Sequence, residues 1–147
     1  MSLEQEVELI RGIQIFSKIP PAKQKLLCFS SERLTYPAGQ VLFREGDVGD
    51  ACYVIIEGTI EISVNSLVIS TLGRNQIIGE IAVFGHVPRT ATVTATTRLE
   101  VLRFSGDLFR SVVRENADAA VEMCRILAQR LANTTLMLQQ VSNPGAK

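Results

Sequence analysis

The sequence predicts one mainly β domain, a sandwich or barrel with helices at both ends, and three observations carry that prediction. Through the middle of the chain glycines recur at turn-like intervals, at Gly39, Gly46, Gly49, Gly58 and Gly73. Between them lie short runs of strand character; in Thr59 to Val64, Ile60, Ile62 and Val64 alternate onto one face. Toward the C-terminus, residues 118 to 141 contain no Gly or Pro and many helix formers.

Taken in order, residues 4–11 and 21–29 have helical character, and Pro21 is acceptable in a first turn. Cys52–Ile56, Thr59–Val64 and Leu67–Leu72 form a meander with turns at Glu57-Gly58 and Asn65-Ser66. Ala91–Ala95 and Leu99–Phe104, rich in Thr and Val, add two strands, and Ser105 caps a helix that follows. On the last helix Val121, Cys124, Ala128, Leu131, Thr135 and Leu138 advance by alternating steps of three and four, a coiled-coil-like seam. Met123, Ile126 and Leu127 form a second apolar flank that packs on the strands, and Ser142 to Lys147 stops the helix. The organisation is a single domain over 1–147: a helical segment 1–32, a barrel 33–104 and C-terminal helices 105–141.

Composition excludes several function classes. The 147 residues are 46% hydrophobic, enough for a core without staples or a metal. Fifteen basic residues balance fifteen acidic ones, so no global field draws the chain to nucleic acid or an anionic membrane. Apolar runs are far shorter than the roughly 20 residues of a membrane span. The N-terminus carries Glu4, Glu6 and Glu8 rather than a basic, apolar leader. Three scattered cysteines without a C-x-x-C fit reduced thiols in the cytoplasm. One histidine, His86, cannot build a multi-histidine metal site, and no serine sits in a nucleophile-elbow context. No catalysis, metal or cofactor is expected.

The densest stretch of unusual choices runs from Ile77 to Val93. Gly79 lets backbone approach a ligand closely, and the residues after it can open a helical turn whose amides attract an anion. Arg89 brings a planar, permanently charged fork suited to phosphate. Glu80, ionised, can only accept hydrogen bonds, so it needs a donor such as a sugar hydroxyl. Together they describe a pocket for a ribose phosphate; alone, Glu80 and Arg89 would read as an ordinary surface pair.

Gly79-Glu80-Ile81-Ala82 followed by Pro88-Arg89-Thr90-Ala91-Thr92-Val93 resembles the phosphate-binding cassette of the cyclic-nucleotide-binding domain family. Upstream, Tyr36-Pro37-Ala38-Gly39-Gln40, Glu45-Gly46-Asp47 and Tyr53 to Gly58 are similar to that family's glycine-marked strand frame, and Phe16-Ser17 to its helical entry. The resemblance implies a jelly-roll (double-stranded β-helix) barrel with N-terminal helices and a long C-terminal helix. It implies that Gly79, Glu80, Ile81, Ala82 and Arg89 hold the cyclic phosphate and ribose, with Glu80 on the 2′-hydroxyl. Ile78, Thr90, Ala91 and Leu72 would lie beside phosphate, sugar or base, with Ile69 on the same wall. Two departures stand out: Asn75-Gln76 replaces the commoner Gly-Asp, and Ile78 stands where an aromatic is frequent. Asn tolerates a left-handed backbone, so the turn survives.

Arg130 to Thr135 is similar to the helix of cAMP-responsive bacterial transcription activators, where a Thr-Ser pair touches adenine. By that likeness Thr134 faces its own pocket and Thr135 a partner subunit, since successive helical residues point about 100° apart. The expectation is a regulatory module that senses cAMP or cGMP and signals by repacking its C-terminal helix. Its partners would be a second copy through that helix, or a fused or separate effector, with no nucleic-acid reader and no membrane segment in this chain. The alternative is a degenerate barrel that serves only for dimerisation.

Overall fold

The structure, a computed structural model, describes residues 2–142. Three helices come first: α1 (Leu3–Arg11), α2 (Gln14–Ser17) and α3 (Pro21–Ser30). Ser2 and Gln5 close a reciprocal capping box on α1, and α3 opens on Pro21, where a missing N–H costs nothing. Eight strands follow: β1 (Glu32–Tyr36), β2 (Val41–Phe43), β3 (Ala51–Glu57), β4 (Ile60–Val64), β5 (Leu67–Leu72), β6 (Ile77–Ile78), β7 (Thr92–Ala95) and β8 (Leu99–Ser105). The short helix α4 (Glu80–Gly85) interrupts them, and α5 (Gly106–Arg114) and α6 (Ala117–Ser142) complete the fold. Ser105 accepts from the Leu108 amide, which gives α5 its cap.

Two four-stranded antiparallel sheets, ordered β1-β8-β3-β6 and β2-β7-β4-β5, face one another as a jelly roll. The β4–β5 hairpin turns through Asn65 and Ser66, both at positive φ (50° and 67°), as a tight primed turn requires. Period two explains why β3 is apolar without a break from Ala51 to Ile56. Ala51, Tyr53 and Ile55 point into the barrel, while Cys52, Val54 and Ile56 point outward under the helices. β8 repeats the pattern, with Leu99 and Val101 inside and Leu102 and Phe104 beneath the helices. Phe16 of α2 anchors the outer layer, its ring 5.4 Å from that of Phe104 and 5.8 Å from that of Phe109. Deleting so buried a ring would cost about 3–5 kcal/mol.

The fold positions α6 across the barrel. Ala119 and Met123 are buried in the outer layer, and Ile126 and Leu127 pack against it. All six seam residues are exposed, Leu131 at 69% and Leu138 at 58% among them. The sequence-read elements therefore stand, with ends moved by a residue or two. β1 begins inside the segment read as helical, and β2 and β6, at three and two residues, are too short to show a period. The expected helix stop lies, beyond Ser142, outside the described residues. Among the described residues no helix is long and apolar enough to cross a membrane.

Candidate functional site

β6 delivers the chain to Gly79, which sits at φ 86° and ψ 2° as the residue before α4. Only glycine fits there. A Cβ would meet the Arg89 Nη1 atom at 2.7 Å and the Ala51 carbonyl oxygen at 3.0 Å, in a backbone region that L side chains avoid. Helix α4 then leaves its first amides without intrahelical acceptors, a ready anion cradle. His86 ends the helix at φ 52° and is exposed, so the lone histidine faces water. Asn75, before the cassette, takes φ 70° and donates its amide to the Ile55 carbonyl. Its side chain type thus preserves the turn for which glycine is commoner.

Arg89 returns from the α4 loop toward β7 and is 5% exposed. Nη1 donates to the Gly79 carbonyl (2.9 Å) and Nη2 to the Ala51 carbonyl (2.8 Å). Its backbone is tied into the β2–β3 loop, donating to the Asp47 carbonyl and accepting from the Gly46 amide, both at 2.8 Å. Among the described residues no carboxylate pairs with this guanidinium, and its buried Nε–H lacks an acceptor. A buried cation without a counter-charge is costly, and an anion in the adjoining space relieves the cost.

Glu80 is 1% exposed. One carboxylate oxygen, Oε1, accepts from Arg130 of α6, whose other terminal nitrogen donates to the Ile77 carbonyl. The second, Oε2, is buried with no partner, an open acceptor. Behind the pair lies Cys52, whose thiol is pushed up by burial above all and by the nearby Glu80 charge.

These groups border one cavity of about 820 Å³ between the barrel and α6, within the usual size of small-molecule sites. Of the residues expected from the sequence, Ile78, Gly79, Glu80, Ile81, Ala82, Arg89, Thr90 and Ala91 line it, as do Leu72 and Ile69. Thr134 of α6 lines it too. Thr135 does not; it is exposed, and its hydroxyl donates to the Leu131 carbonyl of its own helix (2.9 Å).

Sequence reasoning gave no role to Phe43 or Arg130 and placed Ile126 and Leu127 only in an apolar flank of the last helix; all four also line the cavity. For Arg130 a signal existed. It precedes Thr134 by one helical turn, so a Thr134 that faces the pocket brings Arg130 with it. Among the described residues no cluster of three or more His, Cys, Asp or Glu is placed to hold a metal.

Comparison with known proteins agrees with this geometry. The cyclic nucleotide-binding domain family matches residues 33–116, more than half of the chain. The CRP-like cAMP-activated global transcriptional regulator of Mycobacterium tuberculosis is 26% identical over 132 residues, 86% of this chain and 59% of that protein. The chain thus spans less than two thirds of that relative. A cyclic nucleotide-binding-like protein from Brucella abortus is 31% identical, with a TM-score of 0.62 over 75% of this chain and 98% of that one. The regulatory domain of Toxoplasma gondii PKA, crystallised with cAMP, superposes with a TM-score of 0.76 at 14% identity, over 86% of this chain and 50% of that one. At that identity the likeness bears on the fold alone.

Proposed function

The chain belongs to the cyclic nucleotide-binding domain family, and from that premise we propose that it is a sensor that takes cAMP in preference to cGMP and reports occupancy through α6. One observation carries the reading: the cavity holds both a buried, uncompensated guanidinium and a buried, unpartnered carboxylate oxygen. A cyclic phosphate completes the first and a ribose 2′-hydroxyl the second. The remaining lining is largely aliphatic, from Ile62, Leu72, Ile78 and Val93 to Leu127 and Leu131, and suits the faces of a sugar and a base.

Signalling follows from sharing. Oε1 of Glu80 holds Arg130, so a ligand that engages Oε2 acts on the same carboxylate that fastens α6 to the barrel. Occupancy then alters how α6 packs, and the exposed seam from Val121 to Leu138 offers that change to a second copy or an effector. The role is regulatory, the site needs no cofactor, and its ligand and reduced thiols suit the cytoplasm.

Titrating the purified chain with cAMP and cGMP by calorimetry tests the proposal; saturable one-site binding of cAMP is the expected result. A folded chain that binds neither leaves the alternative, a barrel serving association alone. The seam needs its own test, because Ala119 and Met123 belong to the core and truncation before them would unmake the fold. Leu138→Glu, on the exposed face and away from the cavity lining, keeps the core and the site intact. Light scattering should find the wild type associating and the variant monomeric; a monomeric wild type at high concentration, with and without cAMP, refutes association.

A further inference from the structure

We propose that Phe43 is a positioning residue for Arg89: its ring sets the plane of the guanidinium, and so governs affinity for the phosphate part of a ligand and not for the nucleoside part. The inference rests on the cyclic-nucleotide reading above.

Phe43 ends the three-residue strand β2, half-buried, and lines the cavity. The Arg89 Cζ atom stands 4.1 Å from the centre of its ring and 6.0 Å from that of Tyr53. Both lie within cation–π reach, and the guanidinium carbon stands over the nearer ring. The Phe43 ring is itself braced by Tyr53, 5.9 Å away centre to centre. On the loop side Gly49 presses close, since a Cβ there would fall 3.0 Å from Nε and 3.1 Å from Cδ of Arg89. The two carbonyl bonds fix the edge of the fork, and the ring fixes its tilt. Nε alone is left buried without an acceptor. The arginine is therefore ordered before any anion arrives, and a ligand does not have to immobilise it. Leucine at position 43 would keep an apolar wall and remove the ring face, returning rotamer freedom to Arg89.

The test uses the full chain as Phe43→Leu and Phe43→Tyr, each checked by thermal unfolding, with cAMP and adenosine as ligands. Phe43→Leu should weaken cAMP binding by roughly 3- to 30-fold and leave adenosine binding unchanged. Phe43→Tyr, which keeps the ring face, should restore cAMP affinity. Equal losses for both ligands, or no loss of cAMP affinity, overturn the inference. A ligand-free measurement decides it independently. In the ¹H–¹⁵N spectrum the Arg89 Nε–H resonance, identified by its disappearance in Arg89→Lys, should be displaced by the Phe43 ring current and relax toward an ordinary position in Phe43→Leu. An unmoved resonance sinks the inference whether or not the chain binds nucleotide. A folded wild type that takes up no cAMP overturns the proposed function instead, and the spectrum still judges Phe43.

Discussion

Two arginines enter the same cavity from opposite sides and are held by different means. Arg89 is enclosed by the barrel: two backbone carbonyls, a ring and a tight loop surround it, and no carboxylate among the described residues answers its charge. Arg130 comes from α6 and reaches the barrel through one carboxylate and one carbonyl, with 22% of its side chain exposed. On the proposed reading, the barrel end is a preformed receptor for an anion. The helix end is a fastening that a ligand can share. Binding strength should reside in the first and signalling in the second.

The sharpest way to break that division is to remove the barrel cation. Arg89→Leu would leave a desolvated phosphate unpaired, costing on the order of 2–5 kcal/mol of binding, or roughly 30-fold to several-thousand-fold in affinity. The residue also satisfies the Gly79 and Ala51 carbonyls, so its loss should lower stability as well as affinity. Calorimetry on a folded variant checks this; unchanged cAMP affinity would remove Arg89 from the site.

Glu80 lies where the two ends meet. Glu80→Gln should weaken cAMP binding by about 1.5–3 kcal/mol, the value of a hydrogen bond to a charged acceptor. The 2′-deoxy analogue, which has no donor for Oε2, should lose much less. Equal losses for both ligands would take the ribose away from this residue.

Arg130→Gln tests the fastening. Breaking a fully buried ion pair costs about 3–5 kcal/mol, and the partial exposure of Arg130 should bring the cost down to roughly 1–3 kcal/mol. Urea unfolding of the free chain measures it, and a cycle with Glu80→Gln isolates the pair term. A variant as stable as wild type would mean that the helix end carries no fastening.

The smallest effects concern the base. Thr134, on the cavity face of α6, can accept from an adenine amino group, while Thr90, beside Arg89, can bond a guanine amino group. Each neutral bond is worth about 0.5–1.5 kcal/mol, so wild type should prefer cAMP but bind cGMP within roughly 10-fold. Competitive titration should find Thr134→Ala harming cAMP more and Thr90→Ala harming cGMP more. A wide preference for cGMP in the wild type would reverse this assignment.

What could be read in advance divides along the same line. The frame was legible because β3 is apolar from Ala51 to Ile56, β8 is rich in Leu, Val and Phe, the β4–β5 turn has its own residue signature, and α6 lacks breakers. Gly79, Glu80 and Arg89 were legible because their spacing along the chain carries the cassette. The place of Arg130 on the cavity face could have been read from Thr134 one turn on, but its bond to Glu80 spans fifty residues, and a pairing made by folding leaves no local pattern. Phe43 escaped for a related reason: a three-residue strand shows no period, and a ring above a distant arginine is a contact of the tertiary structure alone.

The three thiols have a practical consequence. Cys28 is buried and pushed up to about 12, by burial first and by Glu6 second, and Cys52 lies still deeper, its thiol raised chiefly by burial. Cys124 alone is exposed, on the outer face of α6. Since thiolate character and access together govern alkylation, a maleimide dye offered to the native chain should attach at that one position. The unmodified sequence thereby carries a single handle on the helix assigned the signalling role, so its movement or its burial against a partner can be followed optically without engineering a cysteine.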